Sequence, residues 1–212
     1  MSDRCDDGCD GGRAAIDPRF RRVLQWALAI NAVMFVVEIA GGVRADSSAL
    51  LADAVDFFGD AANYALSLTV LALGALARAR AALAKGLTMA AYGVFVVGRT
   101  AWAWAHGIVP EPAIMGAVAA LALAANLGVA AMLYRFRDGD ANQRSVWICS
   151  RNDALGNIAV MAAALGVLGT AHGWPDFVVA AFLAALALSG GIAVSRQALA
   201  EIRSARLPQP AA

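Results

Sequence analysis

Two short stretches of this chain carry residues whose types and spacing can do chemistry. In "LLADAVDFFGDAANYALSLTVL", residues 50 to 71, Asp56 and Asp60 stand four apart, with Asp53 three positions earlier. In "CSRND", residues 149 to 153, Cys149 and Asp153 repeat the four-residue spacing, and Asn157 continues the same face for another turn. On an α-helix, residues four apart lie about 40° apart around the axis and one turn along it, so each pair addresses a common volume. Three carboxylates and a thiolate offered by two facing helices make four ligands, the number and charge for a tetrahedral divalent cation. Such a cation would itself favour the deprotonated thiol, since the thiolate is the ligating form. Asp53 lies on nearly the same face one turn earlier and reads as an access ligand, a helix-start residue or a solvated one.

These acids sit in sequence that otherwise reads as membrane helix, where a charge at the centre costs about 2.5 to 3.5 kcal/mol even on the mildest insertion scale. A lone intramembrane aspartate can cap a broken helix or pair with an arginine, and Arg151 can pair with Glu38 or reach a headgroup. Two i to i+4 pairs in two separate spans favour a cation site over that reading. Cys149 is the weakest member, because membrane cysteines are usually small apolar fillers.

The elements that must position these residues follow from composition. The chain has 212 residues, 60% of them hydrophobic and 16% charged, against about 45 to 50% and 25% in soluble domains. The fold class is therefore an all-α membrane protein, with apolar stretches at about 23–43, 49–77, 83–105, 112–134, 144–170 and 175–195 predicting six transmembrane helices. Pro110 and Pro112 mark one short hairpin, and "HGWPD" at 172 to 176 marks another. Of the 17 basic residues, all but Arg44, Arg99 and Arg151 fall in or border the tails and the second-to-third and fourth-to-fifth connections. The positive-inside rule then predicts that both termini are cytoplasmic. Residues 1–21 read as a disordered acidic, cysteine-containing tail, 22–196 as the transmembrane domain, and 197–212 as a short cytoplasmic stub.

A net charge of +1 argues for neither a nucleic-acid nor a strongly acidic partner, so no nucleic acid is expected beside the lipid bilayer. Cys5, Cys9 and Cys149 are an odd set without a secreted context, so a disulfide framework is not expected. No apolar run precedes Arg22, which predicts insertion by the first span rather than a cleavable signal.

Several stretches resemble one family. "INAVMFVVEIAGGVRADSSALLADAVDFFGDAANYALSL" resembles the first two helices of the cation diffusion facilitators, with an Asn and a Glu in the first span and a ligand pair in the second. "RSVWICSRNDALGNIAVMAAALGVL" is similar to their fifth helix, and "GWPDFVVAAFLAALALSGGIAVSRQAL" to their sixth, entered through a Trp-x-Asp turn. The resemblance implies that Asp56, Asp60, Cys149 and Asp153 take the ligand positions. It implies a homodimeric exporter in the cell's inner membrane that moves a divalent transition metal outward in exchange for protons by alternating access. The metal is cargo, and no resident cofactor is implied. Cys149 stands where the family usually has His or Asp, and a soft sulfur favours zinc or cadmium over manganese or magnesium. The family's soluble metal-binding domain is not expected after the sixth span, and its His-rich fourth-to-fifth loop is replaced by "RFRDGDANQ".

Two other readings compete. Paired membrane aspartates can form the dyad of an aspartyl protease, although Phe58 replaces the first Gly of the Gly-x-Gly-Asp pattern. A metal-binding regulatory protein that transports nothing is the other. Cys5 and Cys9, among Asp3, Asp6, Asp7 and Asp10, are too few to close a zinc site and read as part of an acidic tail. His106 and His172 read as polar residues at helix ends, with His172 beside Asp176 a candidate exit site. Trp102, Trp104, Trp147 and Trp174 read as interfacial anchors or packing.

Overall fold

The computed structural model describes residues 18–69, 75–136 and 141–204, with side chains described except at 75 and 141–152. Six helices account for its regular structure: α1 (Pro18–Arg44), α2 (Ser48–Thr69), α3 (Ala75–Ala105), α4 (Pro112–Tyr134), α5 (Ala141–Thr170) and α6 (Trp174–Ser204). Five of them have the length and apolarity to cross a membrane. The exception is α2, in which every 18-residue stretch contains Asp53, Asp56 and Asp60. At 22 residues it is still about 33 Å long, enough to span.

The polarity of α2 has a structural reason. It is the helix that packs against all five others, whereas α1 lies against α2 and α4, and α4 against α5, α1 and α2. Large apolar side chains of the surrounding helices face outward instead, among them Val33, Val36, Leu121, Leu165 and Phe182. The acids are therefore screened from lipid by protein, the usual placement of ionisable groups in a bilayer.

The predicted second span, 49–77, runs too far. Helix α2 is described as far as Thr69, and residues 75–77 already belong to α3. The apolar run continues unbroken from one helix toward the next, with Gly74 as its one turn-forming residue, so hydropathy alone cannot find the boundary. Helix α6 also continues beyond the predicted 195 to Ser204.

Helices α3 and α6 form a long pair of their own. Their backbones come close enough that a Cβ on Gly191 would stand 2.8 Å from Gly86 O and 2.8 Å from Ala90 N. Small residues let dispersion contacts hold two helices where lipid removes the hydrophobic drive.

The connections α1–α2, α3–α4 and α5–α6 meet at one end of the bundle, the hairpin end; α1 begins and α6 ends at the other, the terminal end. At the hairpin end α1 closes in a Schellman motif, with Ser47 N–H on Gly42 O at 3.0 Å and Asp46 N–H on Val43 O at 3.5 Å. Asp46 takes the left-handed position, φ 53°, and its carboxylate accepts from Arg99 at 2.9 Å.

Helix α2 then begins against α6. Ser48 N–H donates to Asp176 Oδ2 at 2.8 Å, Ala49 N–H to Asp176 Oδ1 at 3.1 Å, and the Ser47 hydroxyl to Asp176 Oδ1 at 2.6 Å. Ser47 Oγ in turn accepts from Leu50 N–H at 3.1 Å. The first three free amides of α2 are thereby satisfied, two of them by a carboxylate on another helix. Asp176 is fully buried and also sits in the first turn of α6, where a negative charge suits that helix's own dipole. Replacing Asp176 with Ala leaves two buried amides without acceptors and should lower stability by about 3 kcal/mol, with Asn recovering part of it. Unfolding of the detergent-solubilised chain measures this; an unchanged midpoint in D176A would remove the clamp from this role.

Candidate metal centre

Midway along α2, Asp60 is buried at 8% exposure and accepts from the Tyr64 hydroxyl at 3.0 Å, one turn further on. Asp153 of α5 comes within hydrogen-bonding reach of Asp60. Two carboxylates have only acceptors to offer, so this contact requires a proton between them or a cation in its place. Asp153 Oδ2 is buried and receives no donor from the described residues. Asp56 lies one turn from Asp60 toward the hairpin end and is half-buried.

Three of the four predicted ligands are thus placed by described side chains, and Asp60 and Asp153 are brought together. The fourth, Cys149, lies on α5 one turn from Asp153 toward the terminal end, with its side chain outside the described residues. Among the described residues, no three His, Cys, Asp or Glu side chains stand close enough together to hold one ion. Asn157 is fully buried and donates to its own helix at Asp153 O, 2.9 Å away. It steadies the turn that carries Asp153 rather than pointing its amide nitrogen into the site.

Asp53 belongs to a different group. It is 1% exposed, which removes the solvated reading, and its carboxyl meets that of Glu38 on α1. Glu38 therefore faces an acid, and the side chain of Arg151, one partner the sequence offered for it, lies outside the described residues. The candidate exit site at His172 and Asp176 is not formed. Both Asp176 oxygens are taken by the start of α2, and the His172 ring turns to Thr170 O. His106 stacks on Trp102 and bonds to Trp102 O at 2.8 Å, as a polar helix-end residue does. Trp102, Trp104 and Trp174 are half or more exposed, in keeping with anchors. Cys5 and Cys9 lie outside the described residues.

Sequence reasoning missed Lys85, which it counted as a residue bordering a loop. Its stem passes over Gly59 and its ammonium donates to Asn63 Oδ1, three residues beyond Asp60. It also interacts electrostatically with Asp60. A lone lysine five residues inside an apolar run, beyond Arg80, was the available signal. Tyr64 gave a second, four residues after Asp60 on the same face.

A dyad with one Asp from each of two helices suits a protease as well as a cation, so geometry alone does not choose between them. The chain matches no curated protein. The family described as the cation efflux transmembrane domain matches residues 24–202, from within α1 to the last turn of α6. Its members are transporters, which sets the protease reading aside. The chain therefore belongs to the cation efflux family, and is a multi-pass membrane protein that transports metal cations.

Proposed function

We propose that this transporter exports divalent transition-metal cations, zinc and cadmium foremost, in exchange for protons. The observation that carries the reading is the meeting of Asp60 and Asp153, from two helices, in the protein-lined middle of the bundle. A proton held between two carboxyls is what an arriving dication would displace, and returning protons would weaken the ligands and release the metal. Asp56, Asp60, Cys149 and Asp153 are the proposed ligands. Asp56, half-buried one turn toward the hairpin end, would join the ligand set once Asp60 and Asp153 part to receive the ion.

The preference for zinc and cadmium rests on Cys149, since thiolate ligands select against hard cations. The basic residues clustered at the terminal end support a cytoplasmic position for that end under the positive-inside rule. Family resemblance adds a homodimer, testable by crosslinking in the membrane.

Lys85 acts in this scheme as a tethered cation beside Asp60. It offsets part of the site's negative charge when no metal is present and opposes a dication by repulsion when one arrives.

Three measurements check these statements. In vesicles, Asp60→Asn and Asp153→Asn should each abolish metal-dependent proton flux; undiminished flux in either would reject proton-coupled transport at this site. Inside-out vesicles should take up zinc and cadmium ahead of cobalt, iron and manganese, with Cys149→His narrowing the gap, whereas selective manganese uptake by the wild type would refute the sulfur argument. Lys85→Met should tighten cadmium binding by about tenfold and slow its release, because the repelling charge is gone. Weaker binding in K85M would mean that Lys85 supports the site instead.

A further inference from the structure

A second pair of carboxyls lies between the proposed metal ligands and the hairpin end. Glu38 is six residues from the end of α1 and Asp53 five residues into α2, so both sit about 8 to 9 Å below that end. Asp60 is seven residues further along α2, about 10 Å deeper. Glu38 is fully buried and Asp53 is 1% exposed. Neither Glu38 Oε1, Glu38 Oε2 nor Asp53 Oδ2 receives a hydrogen bond from an N–H or O–H of the described residues. Their carboxyls nevertheless come within hydrogen-bonding reach of each other.

Two ionised carboxylates in that position would be neighbouring like charges, out of water and without donors, an arrangement that opposes ionisation of both. Among the described residues, the surrounding helices supply no counter-charge. On α2 the next acid is Asp56; α3 brings the Tyr92 hydroxyl, itself buried and unpartnered among the described residues. Arg99 of α3 is directed to Asp46 and Trp102. Helix α4 has no Asp, Glu, Lys, Arg or His; α5 brings Asp153, and α6 brings Asp176, already bound to the start of α2. Gly156 of α5 borders Asp53, 3.9 Å from Oδ1 to where a Cβ would lie, closing that side with backbone and not with a donor.

We propose that Glu38 and Asp53 share one proton and form a proton-binding site distinct from the metal ligands, placed to pass protons between the hairpin-end medium and the Asp60–Asp153 pair. Only O–H bonds are made and broken: the proton arrives from water at the hairpin end, and leaves for the carboxylates that release metal. Its passage role rests on the proton-exchange reading above; its existence does not. A cation in place of the proton is the competing occupant, and too few donors argue against it. Two carboxyls and a phenol leave a divalent ion short of the four or more ligands it needs.

The test uses the full chain in liposomes, in a D60N/D153N background that removes the deeper pair. Infrared difference spectra between H2O and D2O should show the C=O stretch of a buried protonated carboxyl, lost in both E38Q and D53N but kept in D56N. In the otherwise wild-type chain, E38Q should leave zinc affinity within about threefold of the parent while lowering proton-driven zinc transport by about tenfold. Persistence of the band at full intensity in both E38Q and D53N would overturn the site. So would calorimetry showing two zinc ions per chain and one in E38Q, which would make the pair a metal site. If the band behaves as expected but transport in E38Q is unaltered, the passage role is overturned and the proton site stands.

Discussion

The arrangement of the acids depends on where α2 begins. Its N-terminus is fixed by a carboxylate on another helix, 129 residues away between Ser47 and Asp176. Two backbone amides and a hydroxyl converge on that one buried group, so the register and depth of α2 are set from α6. Every acid on α2 inherits this depth. A shift of one residue would rotate the helix by about 100° and turn Asp56 and Asp60 away from α5. The charge-assisted bonds are strong for their number because water is excluded, and the N-terminal dipole of each helix adds to them.

From this fixed start the acids form a ladder. Glu38 and Asp53 lie nearest the hairpin end, Asp56 follows, and Asp60 and Asp153 meet deeper, with Lys85 toward the terminal side. Buried carboxyls side by side can be neutralised by protons, by a bound cation, or by a tethered amine. In the proposed exchange, a cation and protons would be alternative ways of satisfying the same oxygens. Meanwhile α3 and α6, held together by a seam of small residues, are a unit whose contact with the other helices is made mainly through α2 and α5.

Much of this was legible in the sequence, for identifiable reasons. Spans followed from hydropathy, a local property, and of the four ligands read from helical spacing the described side chains bring Asp60 and Asp153 together. The Trp-x-Asp turn before α6 was visible, but the partner of Asp176 was not, because a cap supplied from 129 residues away leaves no local pattern. The approach of Glu38 to Asp53 was not visible, because opposite charges are the ordinary expectation and the two acids lie on different helices. The end of α2 was overrun because the apolar run continues toward α3. The α3–α6 seam was hidden by the abundance of alanine, which makes any single small-residue spacing uninformative.

The central claim is that one sulfur and three carboxylates hold the transported ion in the middle of the bundle. X-ray absorption at the zinc edge, on the full chain loaded with one zinc in detergent, tests it most directly. The account predicts a four-coordinate shell with one sulfur at about 2.3 Å and oxygens at about 2.0 to 2.2 Å, the sulfur being lost in Cys149→Ser. A sulfur-free six-oxygen shell in the wild type, or a sulfur signal unchanged by Cys149→Ser, would contradict it.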